Sequence, residues 1–329
     1  MKSDLDPVVT KFSLVAVDIP GFLTVAAVGA QLWFLRDAPN PVAVHWSGSG
    51  PDGSGPGWIY PLLTVLTGFG PAAVLFFAGL PRLIRGARGW SFRFLAAMAL
   101  GMATFAAVSM TWSVAMQRGL DSWHDAPSVL PAIIVGLALG VGAGFIGWVI
   151  QPKQEVTVNE LPPTHIDLAD SERAVWVGVA RTGRAIVVIM VVTIVSLAAG
   201  AFVCWLTAQY AAMWILFATA VLTAVLALTT LEADVRVDAS GVEVRGPAGF
   251  PRSRVALNEV ASATPVTVEA LGEFGGWGWR RVPGAMGVVL RSGEALRVER
   301  KEGHALVVTV DGAATAAALL TALAARASS

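Results

Sequence analysis

Groups that could take part in chemistry are few in this chain of 329 residues, which contains four histidines and one cysteine. Two histidines, His45 and His124, lie in polar segments between apolar runs, with several aspartates nearby: Asp37, Asp52, Asp121 and Asp125. Imidazole and carboxylate groups are common ligands of divalent metals. Their spacing gives no closed ligand pattern, such as two histidines at i and i+4. Hydrogen-bonded loop histidines are therefore the default interpretation, and we predict no metal site.

The sequence also lacks the motifs of the common hydrolases and nucleotide-binding enzymes. It has no Ser-His-Asp order, no HExxH, no GxxxxGK[ST] and no dinucleotide fingerprint. We therefore predict that the protein is not an enzyme and that it uses no cofactor. The apolar runs carry no ionisable side chain in their middles apart from Asp18, which argues against the proton or ion relay of a coupled transporter.

The most distinctive segment is residues 36–58, which contains four prolines and five glycines. Such a composition excludes a regular helix and predicts a loop of successive tight turns. This segment contains Val44-His45-Trp46-Ser47 and Gly50-Pro51-Asp52-Gly53. A simple connecting loop between two helices does not require such residues. We predict a binding loop formed by five residues: His45, Trp46, Gly50, Asp52 and Gly53. The alternative is a purely structural lid that uses the same contacts.

This order of residues resembles the domain of unknown function at the N-terminus of SdpI-type proteins, membrane immunity and signalling proteins linked to a sporulation-delaying toxin. The resemblance covers roughly residues 18–80 and rests on Pro41, His45, Trp46, Gly50, Asp52, Gly53 and Tyr60. The chain departs from the family in having Ser47 where an Asn is frequent, and in lacking a Lys shortly before the second apolar run. The family supplies no established chemistry for the motif, so the resemblance implies a relative rather than a reaction.

The overall composition indicates an integral membrane protein. Hydrophobic residues make up 55% of the chain, charged residues 14%, and the mean hydropathy is +0.66. Because 23 basic residues balance 23 acidic ones, no basic excess is present to attract nucleic acid, and we predict no nucleic-acid partner. The single cysteine, Cys204, cannot form an intrachain disulfide. The first apolar run lacks a small-residue cleavage site and is expected to be a retained anchor.

Six apolar runs are long enough for membrane helices: residues 18–35, 60–84, 94–116, 128–150, 185–207 and 211–231. The first is short if it starts at Asp18. That aspartate precedes Pro20 and is interpreted as a helix N-cap, with an acid inside the bilayer as the alternative. Gly136, Gly140 and Gly144 lie on one helix face, where small residues let a neighbouring helix of the bundle approach closely.

Basic residues indicate the orientation of these spans. The loop after the second run carries Arg82, Arg85, Arg88 and Arg93, and the segment after the fourth carries Lys153, Arg173, Arg181 and Arg184. By the positive-inside rule these segments are cytoplasmic. We therefore predict a multi-pass plasma-membrane protein with both termini in the cytoplasm and residues 36–59 outside.

In the connection 151–183, the stretch from Leu168 to Trp176 is either an amphipathic element at the membrane face or an ordinary linker.

From residue 232 the sequence changes to short β-branched runs separated by Gly, Asp and Ser turns. These predict a soluble β-rich domain over residues 232–329, whose final helix is capped by Asp311, and a membrane domain over residues 1–231. Strands followed by one helix resemble bacterial pleckstrin-homology-like domains. The predicted domain contains 11 basic and 11 acidic side chains. Because these charges balance, a phosphoinositide-binding surface is not indicated. Residues 275–280 suggest an interaction loop through Trp277, Trp279 and Arg280, with burial of the two rings in the domain core as the alternative.

Together these features predict a non-enzymatic α-helical integral membrane protein with SdpI-like immunity, signalling or envelope-stress sensing through the exported His-Trp segment. Its expected partners are the lipid bilayer, an envelope toxin or peptide at the exported face, and a cytoplasmic protein. The alternative function is a membrane transporter or envelope-acting enzyme with its site between the helices.

Overall fold

A computed structural model describes residues 6–47, 50–154, 159–162, 164–166, 172–206 and 209–328. Its contacts divide the chain into two compact units, Met1–Val156 and Thr157–Ser329, which are described separately below. The boundary predicted after residue 231 differs from this division. The reason is that the strands at Asn159–Glu160 and Trp176–Arg181 pair with C-terminal strands, and two apolar helices lie in the connection between the second of these strands and its partner. The described residues include six helices that are long and apolar enough to cross a membrane.

The first unit contains four of these helices: α1 (Pro7–Asp37), α2 (Ile59–Ile84), α3 (Trp90–Ala115) and α4 (Leu130–Ile150). Helix α3 contacts the other three. Its inward positions are mostly small, because Ala96, Ala99, Ala103 and Ala106 are buried. Small side chains let the neighbouring backbones approach closely, which is the usual basis of helix packing in membranes.

The glycines of α4 lie against α3, as predicted for packing within the bundle. A Cβ added at Gly140 would lie 2.8 Å from the carbonyl oxygen of Gly101, and one added at Gly144 would lie 3.1 Å from that of Ala97. At Gly136 the added Cβ would overlap the Ser109 hydroxyl. A side chain at Gly140 would therefore force the two backbones apart, and one at Gly136 or Gly144 would require its neighbour to shift.

Helix α1 corrects the interpretation of Asp18. The helix begins at Pro7, where the carboxylate of Asp6 accepts a hydrogen bond from the amide of Val8 at 2.9 Å. Asp18 lies inside the continuous helix, in a π-helical turn (Leu14–Asp18), and its side chain makes no capping hydrogen bond. A second π-helical turn, Val65–Phe69, precedes Pro71 in α2. Each turn comes just before a proline, whose missing N–H interrupts the regular ladder.

Between α1 and α2 the chain forms a two-stranded antiparallel sheet of β1 (Val42–Ser47) and β2 (Gly50–Gly55). We call residues 42–55 the His-Trp hairpin; Gly48 and Ser49 within it lie outside the described residues. The sequence predicted successive turns here. Strand pairing is possible in so glycine-rich a segment because the ladder uses only backbone groups and β1 supplies apolar residues that pack below it.

The second unit begins with β3 (Asn159–Glu160) and β4 (Trp176–Arg181), followed by α5 (Arg184–Leu206) and α6 (Tyr210–Leu228). The chain then returns in β5 (Glu232–Asp238), which pairs with β4 so that Glu232 lies opposite Arg181. The amide of Thr182 also donates to the carbonyl of Leu231 at 2.9 Å. The α5–α6 pair is thus inserted in the connection of a β-hairpin. Of the predicted amphipathic stretch, residues 168–171 lie outside the described ranges.

The remaining elements are β6 (Gly241–Arg245), β7 (Arg252–Ala256), β8 (Val260–Val268), α7 (Ala270–Phe274), β9 (Gly278–Val282), β10 (Ala285–Val289), β11 (Gly293–Arg300), β12 (Ala305–Thr309) and α8 (Ala313–Ser328). They form a four-stranded sheet, β4-β5-β6-β7, and a six-stranded sheet, β3-β8-β11-β12-β10-β9. Strands β10 and β12 are parallel, and the other pairs are antiparallel. The prediction of a β-rich C-terminal region that ends in a helix is confirmed.

The core of the second unit lies between alternating strand residues and the apolar face of α8. Val235, Val242, Leu296, Leu306 and Leu320 are fully buried in one cluster. The predicted cap of α8 differs from the structure: Asp311 pairs with Arg291, while the carboxylate of Glu294 accepts from the amides of Gly312 and Ala314 at 3.2 and 3.3 Å. The first amides of a helix have no partner within it, and a carboxylate from a neighbouring strand satisfies them here.

Candidate functional site

The His-Trp hairpin carries an exposed pair of ionisable side chains. The Nδ1 atom of His45 lies 2.5 Å from Oδ1 of Asp52, and the two side chains are 72% and 41% exposed. The hydrogen bond from His45 lowers the pKa of Asp52 from its usual value, and a hydrogen bond from Ser47 acts in the same direction. Since a carboxylate only accepts hydrogen bonds, Nδ1–H of His45 is the donor. In the neutral imidazole, Nε2 is then an acceptor on an exposed ring.

A register irregularity brings these two side chains together. Trp46 is opposite Pro51 and His45 is opposite Gly53, so Asp52 is an additional residue between two paired positions. Such a bulge redirects a side chain relative to a regular strand. Gly53 has no room for a side chain, because an added Cβ would lie 2.9 Å from the Cβ of His45. Gly50 has a φ of +115°, a conformation that favours glycine.

Trp46 fastens the hairpin to the helices. Its ring is half-buried against a cluster that includes Val42, Tyr60 and Val114, and its Nε1–H donates to the carbonyl of Pro127 at 2.9 Å. Neighbouring residues of a strand point to opposite faces, so Trp46 contacts the cluster while His45 is exposed. The arrangement separates a structural residue from one that is free to meet a ligand.

A buried glutamine beneath the hairpin was missed by the sequence interpretation. Gln117 is fully buried just after α3; its Oε1 accepts from the amide of Ala43 at 2.8 Å and its Nε2 donates to the carbonyl of Ala43 at 3.1 Å. The hydroxyl of Tyr60 donates to the same carbonyl at 2.6 Å. These contacts hold β1 on the helix ends. A polar residue directly after a long apolar run was the only signal in the sequence.

A second polar cluster lies deeper, among α1, α2 and α3. The Nε2 atom of Gln31 donates to the hydroxyls of Thr64 at 2.8 Å and Thr111 at 3.1 Å. Gln31 and Thr64 are fully buried, and among the described residues Oε1 of Gln31 has no hydrogen-bond partner. Buried polar groups between otherwise apolar helices are costly and often mark a functional position.

Of the other residues considered as metal ligands, His124 and Asp37 have partners of their own. His124 stacks on Trp123 and contacts the Ser122 hydroxyl at 3.1 Å. Asp37 pairs with Arg118 at 2.9 Å, and its carbonyl accepts from the amide of Gly119. Within the described ranges, no group of three or more His, Cys, Asp or Glu side chains is arranged to hold a metal.

The second predicted site, residues 275–280, is only partly a loop. Trp279 and Arg280 belong to β9, and Trp277 precedes it. The two rings are partly buried, Trp277 against the cluster around Phe274 and Trp279 against the main core. Arg280 is exposed, and its Nε donates to the carbonyl of Trp277 at 3.1 Å. A Cβ added at Gly278 would lie 3.3 Å from Thr230, which places the segment near the base of α6.

Comparisons of the chain with protein-family models, with curated proteins and with solved structures give no match.

Proposed function

We propose that this chain is a non-enzymatic protein of the plasma membrane, with six spans and both termini in the cytoplasm, and that its exported His-Trp hairpin binds an envelope toxin or peptide. In this role it acts in immunity or envelope-stress signalling, as the resemblance to SdpI-type proteins implies. The second unit, whose sequence resembles pleckstrin-homology-like domains, passes the signal to a cytoplasmic protein.

The main support for this proposal is the exposed His45–Asp52 pair, which lies on a hairpin held in place by contacts with the helix ends. An unsupported glycine-rich loop would lose much conformational entropy on binding a ligand. Gln117, Tyr60 and Trp46 remove that cost because they hold the hairpin before a ligand arrives. With a neutral imidazole, the pair presents Nε2 of His45 and the carboxylate of Asp52 as acceptors. Acceptors of this kind suit a ligand with N–H donors, such as a peptide amine or amide.

Orientation can be tested by cysteine labelling in intact cells. Replacing Cys204 by Ser gives a cysteine-free background, in which Ser54→Cys reports on the hairpin and Lys153→Cys reports on the segment after α4; both positions are exposed. A membrane-impermeant maleimide is expected to label position 54 without permeabilisation and position 153 only after it. Labelling of position 54 only in permeabilised cells would reject the orientation.

The binding role is tested by complementing a strain that lacks the chromosomal copy and challenging it with envelope-active toxins and peptides. Because His45 has an exposed ring and Trp46 anchors the hairpin, His45→Ala should reduce protection at normal abundance. Trp46→Ala should lower both abundance and protection. Full protection by His45→Ala would leave the hairpin as a structural lid.

A transporter with its site between the helices is the second candidate, and the polar cluster of Gln31, Thr64 and Thr111 is the observation that favours it. In that case purified protein in liposomes would move a solute, and Gln31→Leu, which removes the buried side-chain amide together with its unpartnered Oε1, would abolish the flux. Flux that depends on Gln31 but is unchanged by His45→Ala would favour this candidate over the first.

A further inference from the structure

Phe250 is the most exposed large apolar side chain among the described residues, at 74%. In the second unit outside α5 and α6, the only other exposed large apolar residues in the described ranges are Val175 and Val177, which are smaller. An exposed phenylalanine at this position has no packing role within the unit. A single exposed apolar side chain is common on protein surfaces, so the place of Phe250 in the fold decides whether it marks an interaction surface.

The loop that carries Phe250 has a defined backbone. Residues Pro247–Gly249 form one 3-10 turn between β6 and β7. The amide of Gly246 donates to the carbonyl of Pro251 at 2.7 Å, and the amide of Phe250 donates to that of Pro247 at 3.3 Å. These bonds close the loop across its base, so its tip presents the ring outward.

The topology places this loop at one particular end of the four-stranded sheet. Strand β4 ends at Arg181 opposite the start of β5 at Glu232, and two or three residues separate this end from α5 and α6. Strand β6 runs antiparallel to β5 and returns to the same end. There Arg245 of β6 lies opposite Asp234 of β5 on one side and opposite Arg252 of β7 on the other. With strands about 4.8 Å apart and a rise of about 3.3 Å per residue, the loop lies on the order of 10 Å from the point where the helices meet the sheet.

The turn at the opposite end of the same sheet is polar. There β5 and β6 are joined by a turn in which the amide and hydroxyl of Ser240 both donate to the carboxylate of Asp238, at 2.8 and 2.7 Å. This turn is polar and carries no large apolar residue. Val175 and Val177 at the start of β4 are exposed near this turn, but in the described part of this sheet an exposed phenylalanine occurs only at the end next to the candidate spans.

We infer that the β6–β7 loop inserts Phe250 into the interface of the lipid bilayer, beside the point where α5 and α6 enter it. If those helices span the membrane, the short connections hold this end of the sheet at the bilayer surface. An aromatic ring is stable at the boundary between headgroups and hydrocarbon. Arg181, Arg245 and Arg252 at the same end are balanced by Glu232, Asp234 and Glu243, so the inference depends on the ring and its position and not on a basic surface. The inference rests on the membrane insertion proposed above and does not depend on a ligand of the His-Trp hairpin.

The test uses the full chain in liposomes with Cys204 replaced by Ser. Single cysteines at three positions receive an environment-sensitive fluorophore: Phe250→Cys at the loop tip, Ser240→Cys at the opposite end, and Leu222→Cys on an exposed face of α6. Quenching is measured with spin-labelled phospholipids in the membrane and with iodide in the aqueous phase. The probe at position 250 should be quenched by shallow spin labels, and its iodide quenching constant should be several-fold lower than at position 240.

Two outcomes at position 250 overturn the inference. Iodide quenching equal to that at position 240 would show that the loop lies in water. Protection from both iodide and spin-labelled lipid would show that protein covers it. The probe at position 222 separates these failures from a failure of membrane insertion: if deep spin labels quench position 222 but shallow ones spare position 250, α6 is inserted and only the loop inference falls. If position 222 is not quenched by lipid, both proposals are wrong.

Discussion

Replacing Gln117 by Leu should loosen the His-Trp hairpin without emptying the space beneath it. Leucine has about the same volume as glutamine, so packing around the fully buried side chain is largely kept. Two losses act on the hairpin, namely the acceptor for the buried amide of Ala43 and one of the two donors to its carbonyl; the contacts of Nε2 with Ser113 and Tyr60 also disappear but lie outside the hairpin. The carbonyl keeps the hydroxyl of Tyr60 as a partner, whereas the amide is left without one.

The size of the effect follows from these two losses. A buried donor left without an acceptor costs about 1–3 kcal/mol, so Gln117→Leu should lower the free energy of hairpin opening by about 2 kcal/mol, which is roughly 30-fold in the opening equilibrium. Tyr60→Phe is the matched control, because it removes a donor from a carbonyl that Gln117 still satisfies. Its expected cost is about 1 kcal/mol, or roughly fivefold.

Hydrogen exchange of the amides in residues 42–55, measured in nanodiscs, reports this opening directly. Exchange should be fastest in Gln117→Leu, intermediate in Tyr60→Phe and slowest in the unmodified protein, while amides in the middle of α3 keep their protection. Equal exchange in the two variants, or unchanged exchange in Gln117→Leu, would refute the role of Gln117 as the brace of the hairpin.

Three further predictions concern single positions. Gly53→Ala should destabilise the hairpin by about 1–3 kcal/mol because its Cβ would collide with His45, whereas Gly55→Ala meets only ordinary contacts; thermal unfolding or exchange compares them. The hydrogen bond from His45 lowers the pKa of Asp52, so this contact stabilises the hairpin above the ordinary value of 3.8 and is lost as the pH falls through the lowered pKa; the protection factors of the hairpin amides, corrected for the intrinsic exchange rate, should therefore fall in acid below that ordinary value. Burial raises the pKa of Glu273 above the ordinary value for a glutamate. The free energy of unfolding of the second unit should therefore fall as the pH rises from that ordinary value through the raised pKa, and Glu273→Gln should raise the melting temperature at neutral pH.

The apolar runs predicted the helices well because length and hydropathy are properties of a local stretch of sequence. The same holds for β5, β6 and β10–β12, whose β-branched residues stand between clear turn residues. Strand β4 was not recognised as part of the β-rich region. Its pairing partner follows a pair of helices, and no local pattern reveals that Arg181 lies opposite Glu232.

The contacts of the candidate site were equally difficult to predict from local sequence. The residues of the hairpin were identified from their unusual types, but the contact between His45 and Asp52 depends on a bulge that a glycine-rich sequence does not specify. Asp18 was assigned to a cap because a Pro two residues later is typical of a helix start. The helix instead begins 11 residues earlier at Pro7, since Asp6 supplies the cap and a π-helical turn accommodates Pro20.

The most direct test of the proposed binding site is a double-mutant cycle on protection against an envelope challenge, with His45→Ala, Asp52→Ala and both together at equal abundance. If the two side chains act as one recognition unit, each single variant should lose protection and the double variant should lose no more than either. Losses that simply add would contradict a shared role for the pair. Full protection by all three variants would contradict the binding site altogether.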